Sequence, residues 1–290
     1  MSPLQAADEP TLARAVEHNL HELFRSMARN LPHGECVESE QLCRHCCFPT
    51  NPMFKGAWAA RLAPGEVDRV IDETIAWFAE RKAPYFFWWT GAGAQPDDLG
   101  ARLQARGLLD MAEQQTALAR GIRQTEQGAP LMALDLAHTD AALLRAVPPR
   151  FVIEEVRSDA DLEDFKSVFV ETYAIPEWAG QAWVDATRAI GIGQTPWRMF
   201  VGRLEGRPVA TNMLFCGGGV ASVYAVAAVT DVRRQGIGGA ITLSPLLDAA
   251  RRGYRYAVLF STEMGVGAYE RIGFRVLPGR LNRYLWRAPG

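Results

Sequence analysis

Val226-Ala227-Ala228-Val229-Thr230-Asp231-Val232-Arg233-Arg234-Gln235-Gly236-Ile237-Gly238-Gly239-Ala240 decides how this chain is read: an apolar, strand-like run turns through a basic, glycine-rich loop straight into a helix. Glycines at 236, 238 and 239 leave no Cβ to block close approach, and the first amides of the following helix point outward at its positive end. A diphosphate fits such a loop. Two other anion loops are excluded by spacing. A Walker loop ends in Gly-Lys-Ser/Thr, whereas Gly238-Gly239-Ala240 offers neither the lysine nor the hydroxyl. A dinucleotide fingerprint needs a third glycine three residues beyond the Gly-x-Gly pair, and that position is Ile241.

A second block follows downstream. Ala257 to Ser261 is an apolar strand-like run, Thr262 to Gly267 reads as loop, and Ala268 to Ile272 as a short helix stopped by Gly273 before Phe274. The order Arg233-x-x-Gly236-x-Gly238, then Tyr269-x-x-x-Gly273-Phe274, resembles the GNAT superfamily of acyl-CoA-dependent N-acyltransferases, over roughly residues 152 to 287.

That resemblance implies acetyl-CoA as cosubstrate and a primary amine of a small molecule as acceptor, with the acetyl group passing directly and no acyl-enzyme. The strand Val226, Ala227, Ala228 would present main-chain groups to the pantetheine arm. Arg234, Gln235, Gly236, Ile237, Gly238 and Gly239 would wrap the diphosphate, Arg233 would add charge, and Thr262 would line the cofactor site. Tyr269 would be the acid for the departing thiolate. Amine attack on a thioester also calls for a fixed N–H near the developing oxyanion and a proton acceptor. The acceptor stays open among Glu171, Tyr173, Glu177, Glu263 and water. Two departures bear on this half of the chain: Pro245 falls inside the helix after the loop and should kink it, and Ala225 stands where similar sequences carry asparagine. Two other functions compete: a non-catalytic acyl-CoA sensor that engages a protein partner, and a peptide or protein N-acetyltransferase.

Composition frames this without naming a function. The 290 residues are 48% hydrophobic and 22% charged, enough for a sizeable core. With a net charge of −2 there is no basic field for nucleic acid or anionic lipid. No run approaches the roughly 20 apolar residues of a membrane span, and the first residues lack a signal pattern, so a cytoplasmic location is expected. Of five cysteines, four crowd into residues 36 to 47. His33, Cys36, Cys43, His45, Cys46 and Cys47 could supply four zinc ligands, but of the cysteines only Cys43 and Cys46 have knuckle spacing. No metal is expected; reduced, partly buried thiols are.

The remaining pattern predicts an α/β (α+β) chain of two GNAT-like domains, each a mixed, mostly antiparallel sheet flanked by helices. Apolar positions from Leu12 to Met27 mark an amphipathic helix, Pro49 to Pro52 a turn, Ala57 to Leu62 a strand, and Val67 to Phe78 a second helix. Strand 85–90, a loop, helix 97–105 and Gly107-Leu108-Leu109 repeat the order of residues 256–274, with Leu103 or Gln104 where the later copy has Tyr269. No Arg-x-x-Gly-x-Gly loop accompanies this first copy. Residues 1–147 are therefore expected to be a degenerate GNAT-like domain, and 151–290 the acetyltransferase domain, with paired prolines 148 and 149 as the joint. Within 151–290 the pattern is a strand at 152–156, a helix capped by Asp159 or Asp161, a helix at 178–190, three strands, the loop and helix, then strand, helix and strand.

Overall fold

A computed structural model describes residues 2–47, 54–111 and 128–288; the predicted turn at Pro49–Pro52 lies outside them. The chain forms two compact units, one of residues 1–23 and 132–277, the other of residues 24–131 and 278–290. In chain order the elements are α1 (Glu9–Asn30), β1 (Glu35–Glu38), β2 (Cys43–Cys46), β3 (Lys55–Trp58), α2 (Val67–Glu80), β4 (Tyr85–Thr90), α3 (Leu99–Ala105), β5 (Leu109–Asp110) and β6 (Ala129–Asp135). They continue with β7 (Phe151–Glu155), α4 (Asp159–Tyr173), α5 (Glu177–Ile190), β8 (Trp197–Leu204), β9 (Arg207–Gly217), β10 (Val220–Ala228), α6 (Ile237–Arg251), β11 (Tyr256–Phe260), α7 (Glu263–Glu270) and β12 (Arg275–Arg287).

The proline joint is not where the units divide. Residues 132–147 pack into the unit that holds the glycine-rich loop, through buried Met132, Leu134 and Leu136 with Leu143 and Leu144 against them. The first helical turns join the same unit because Asn19, fully buried, donates to the carbonyls of Gly217 (2.9 Å) and Val220 (3.2 Å) and accepts from the Tyr224 hydroxyl (2.7 Å). Conversely, residues 282–287 of β12 pair antiparallel with β4, from Asn282 opposite Thr90 to Arg287 opposite Tyr85, so the C-terminal segment completes the other unit. A linear cut at 147–151 misses both exchanges because amphipathic pattern shows which face is buried, not against which partner.

In the first unit the sheet runs β6-β11-β10-β9-β8-β7, antiparallel from β7 to β10 and parallel between β10 and β11. Neighbouring side chains along a strand face opposite ways. Asn212 on β9 reaches the Ile241 carbonyl of α6 (2.9 Å), while Met199, opposite Met213, accepts from Thr187 of α5. The two helices therefore cover opposite faces. α4 begins with a capping box: the Ser158 hydroxyl accepts from the Asp161 amide and the Asp161 carboxylate accepts from the Ser158 amide, so the cap is Ser158 rather than either predicted aspartate.

Pro245 sits inside α6 as expected, and the structure shows what accommodates it. Proline has no N–H, so the carbonyl four residues earlier, Ile241, loses its helical donor. Asn212, fully buried, supplies the missing bond. Asn212→Ala should cost about 1–3 kcal/mol, the penalty for an unsatisfied buried carbonyl. Adding Pro245→Ala to that variant restores an amide and should recover most of the melting temperature; a double variant no more stable than the single one would reject this pairing.

The second unit orders its strands β1-β2-β3-β4-β12 with β5 on β12, around a core of Val67, Ile71, Phe78, Phe86, Trp88 and Trp286. Its α3 is followed by Gly107 at φ +80°, as α7 in the first unit is followed by Gly273 at φ +104°, which is the local origin of the repeat seen in the sequence. Here Leu103 is fully buried. Cys36, Cys43, Cys46 and Cys47 are free thiols, and burial pushes Cys36 up to about 11 and Cys47 up to about 12. His45 accepts from the Trp58 indole (3.1 Å) and stacks on Phe24 at 4.5 Å. Among the described residues no group of three or more potential ligands converges on a metal position, and no helix is long and apolar enough to cross a membrane.

Candidate functional site

The predicted loop is a loop with open amides. After β10 a single 3-10 turn (Thr230–Val232) leads to Arg233, Arg234 enters the left-handed region at φ +64°, and Gly236 caps α6 at φ +81°. The amides of Val232 and Arg233 turn back to Val229 and Thr230, and Ala240 bonds Gly236. Between them, the amides of residues 234–239 have no hydrogen-bond partner among the described residues. Gly236 is required twice over, since a Cβ there would also stand 2.0 Å from the Ala146 carbonyl oxygen. A Cβ on Gly238 would meet nothing within 4 Å. Arg233, Arg234 and Gln235 are exposed, and Gln235 donates to the Asp231 carbonyl (3.3 Å). Asp231, the one acid of 226–240, is neutralised by an ion pair with Arg207. What remains is a run of unengaged amides flanked by two exposed arginines, which suits a diphosphate.

The strand leading into the loop is only half paired. β10 meets β11 at Ala221 opposite Ala257 and Ser222 opposite Val258, and at no later position among the described residues. A register shift against β9 between Tyr224 and Ala227 accompanies this, with Ala225 at φ +48°. Asparagine tolerates that left-handed conformation better than alanine does, so the backbone here is held by its surroundings rather than by the residue's own preference. The Ala225 carbonyl accepts from Thr211 on β9, and the Val229 amide bonds Val209. Main-chain groups alternate in direction along a strand. Val226 and Ala228 thus face the gap left by β11, while Ala227, also predicted to present its backbone there, turns it to β9 and is buried.

Tyr269 lies on α7, whose start the sequence placed too late. The helix begins at Glu263 because Thr262 caps it, its hydroxyl accepting from the Gly265 amide (3.3 Å). Glycines 265 and 267 mimic a loop in the sequence, yet a Cβ on Gly265 would collide with Ser261 Oγ (2.4 Å) and crowd the Tyr269 ring (3.3 Å). The helix stops when Gly273 adopts positive φ, letting the Phe274 amide return to the Tyr269 carbonyl (3.1 Å). Phe274 is buried and meets the Tyr269 ring edge-on at 5.7 Å. The Tyr-x-x-x-Gly-Phe spacing is thus a device for fixing a tyrosine ring. Burial, and next the nearby Tyr173, raise the Tyr269 hydroxyl above the ordinary tyrosine value, so it is protonated at neutral pH.

The possible proton acceptors are scattered. Glu177 is ion-paired with Lys166 (2.9 Å), Glu171 is exposed on α4, and Glu263 occupies the first turn of α7. Tyr173 alone of the four is coupled electrostatically to Tyr269, and its hydroxyl donates to the Val226 carbonyl (2.9 Å). The sequence marked it as a titratable group; its contact with the strand had no signal in the pattern.

A family model described as the acetyltransferase (GNAT) domain matches residues 113–270, more than half of the chain. No curated protein matches it. Among solved structures, a GCN5-related N-acetyltransferase from Kribbella flavida superposes with a TM-score of 0.66 at 17% identity, covering 95% of this chain and 96% of its own. A GCN5-related N-acetyltransferase from Sphaerobacter thermophilus gives 0.57 at 15% identity, covering 100% and 96%. A tandem GNAT protein from the clavulanic acid biosynthesis pathway gives 0.56 at 14% identity, covering 100% and 98%. At these identities the likeness is one of fold. The family match spans the open-amide loop, the splayed strand and the fixed tyrosine: the chain belongs to the GNAT acetyltransferase family.

Proposed function

We propose that the chain transfers the acetyl group of acetyl-CoA to the primary amine of a small molecule, directly, and that the unit holding residues 132–277 carries the reaction. The observation that supports this most is the row of unengaged amides at 234–239 beside a strand whose edge is open from Val226. Amides 234–239 would hold the diphosphate with Arg233 adding charge, the main chain of Val226 and Ala228 would align the arm, and Thr262 would line the same side. Acetyl-CoA supplies the activated thioester. Tyr269 would give its proton to the leaving sulfur; the burial that weakens this acid also raises the thiol's pKa, so transfer is not set back by it.

Direct transfer is favoured by where the thiols are. The unit's one cysteine, Cys216, pairs with Ala221 at the far end of β10 from Val226, and burial raises its pKa, so it offers no thiolate to the thioester. The other unit, without a second such loop, is read as a decayed GNAT-like copy. The test is a calorimetric titration with acetyl-CoA beside a panel of small amines and N-terminal peptides, read by release of free thiol. Micromolar binding with turnover on a small amine is expected. Binding with turnover on peptides alone would reject the acceptor class, binding without turnover on either would favour a sensor, and no heat at millimolar ligand would reject the cofactor.

A further inference from the structure

One side chain already occupies the edge that the arm of acetyl-CoA would use. Tyr173 is the last residue of α4; its ring packs on Phe169 at 5.0 Å, and the helix ends there because Ala174 turns left-handed at φ +48° and the Ile175 amide returns to Val170. The side chain is 46% exposed, yet its hydroxyl is held by the Val226 carbonyl at 2.9 Å. Strand alternation points that carbonyl into the gap between β10 and β11. An outward strand carbonyl of this kind asks for a donor, and a neighbouring hydroxyl supplies one.

We propose that the Tyr173 hydroxyl is a displaceable stand-in for an amide N–H of the pantetheine arm, so that this residue makes occupancy of the splay conditional on a ligand with a donor at that point. This rests on the reading that acetyl-CoA binds along β10. A ligand with an N–H exchanges one hydrogen bond for another, whereas a ligand whose arm lacks it leaves the Val226 carbonyl unsatisfied. Tyr173 thus acts as a specificity-determining residue. A carbonyl oxygen has two lone pairs, and a hydroxyl that merely shares it with the ligand would not be displaced.

The experiment compares wild type with Tyr173→Phe by calorimetry, using acetyl-CoA and the adenosine 3′-phosphate 5′-diphosphate fragment, which has the diphosphate and no arm. Removing the competing hydroxyl should tighten acetyl-CoA about twofold to tenfold, the factor for one net hydrogen bond. The fragment should bind both proteins alike, which also reports that the loop is folded. Unchanged or weaker acetyl-CoA binding overturns the displacement, as does an equal gain for the fragment. Failure of the underlying reading is separate, because then wild type would bind acetyl-CoA no more tightly than the armless fragment, or would bind neither.

Discussion

Gly236→Ala should weaken acetyl-CoA binding by on the order of 10²–10⁴-fold. Two costs coincide at that position. The backbone sits at φ +81°, a region that costs a side-chain-bearing residue about 1–3 kcal/mol. The new Cβ would also lie 2.0 Å from the Ala146 carbonyl oxygen, a backbone atom that cannot rotate aside. The segment leading to that carbonyl is anchored: Asp135 and Asp140 accept from the Ala137 and Ala142 amides, the Leu136 amide donates to the Arg255 carbonyl, and Leu143 and Leu144 pack on the core. The loop must therefore move, and the amides of 234–239 lose their common direction. Misaligning two charge-assisted bonds of roughly 1.5–3 kcal/mol each gives the stated range. Gly238→Ala is the control, since its Cβ meets no atom within 4 Å, and the fold should be unharmed or slightly stabilised. Calorimetry and thermal melts on both variants decide; a Gly236→Ala protein that binds within threefold of wild type would remove the loop from the site.

Why so much of this loop was legible, and its surroundings were not, follows from what each depends on. Glycine spacing at 236, 238 and 239 encodes local backbone requirements, so strand, loop and helix were readable without the rest of the chain. Tyr269-x-x-x-Gly273-Phe274 is local in the same way: its glycine ends a helix and its phenylalanine props the ring. The start of α7 was misplaced because Gly265 is required by contact with Ser261, a packing reason that looks in sequence like a loop preference. Non-local pairings left no trace. Nothing in the pattern around Pro245 announces that Asn212, 33 residues earlier, will supply its missing bond, nor that Tyr173 will reach Val226. The division of the chain was hidden for the same reason, because a helix like α1 shows its apolar face and not its neighbour.

Tyr269→Phe should lower kcat by about 10²–10³-fold while leaving the affinity for acetyl-CoA unchanged, the signature of an interaction made only as the thiolate departs. The substitution is conservative where it matters for packing. The ring keeps its edge-on contact with Phe274, the helix end still forms from main-chain bonds, and no hydrogen bond to the hydroxyl among the described residues is lost. The pH profile gives an independent check. Burial and the neighbouring Tyr173 hold the hydroxyl above the ordinary tyrosine value of about 10, so it carries its proton across the neutral range and wild-type turnover should fall only above that pH. As pH rises through that pKa the proton donor is lost, and the alkaline limb should vanish with the hydroxyl in Tyr269→Phe. A variant that keeps more than about a fifth of wild-type kcat, or whose alkaline limb survives, would transfer the acid role to Tyr173 or to water. Since the Tyr173 hydroxyl points at Val226 through the same gap, the double variant would then separate those two donors. A further loss on removing Tyr173 identifies it as the acid, and no further loss leaves water.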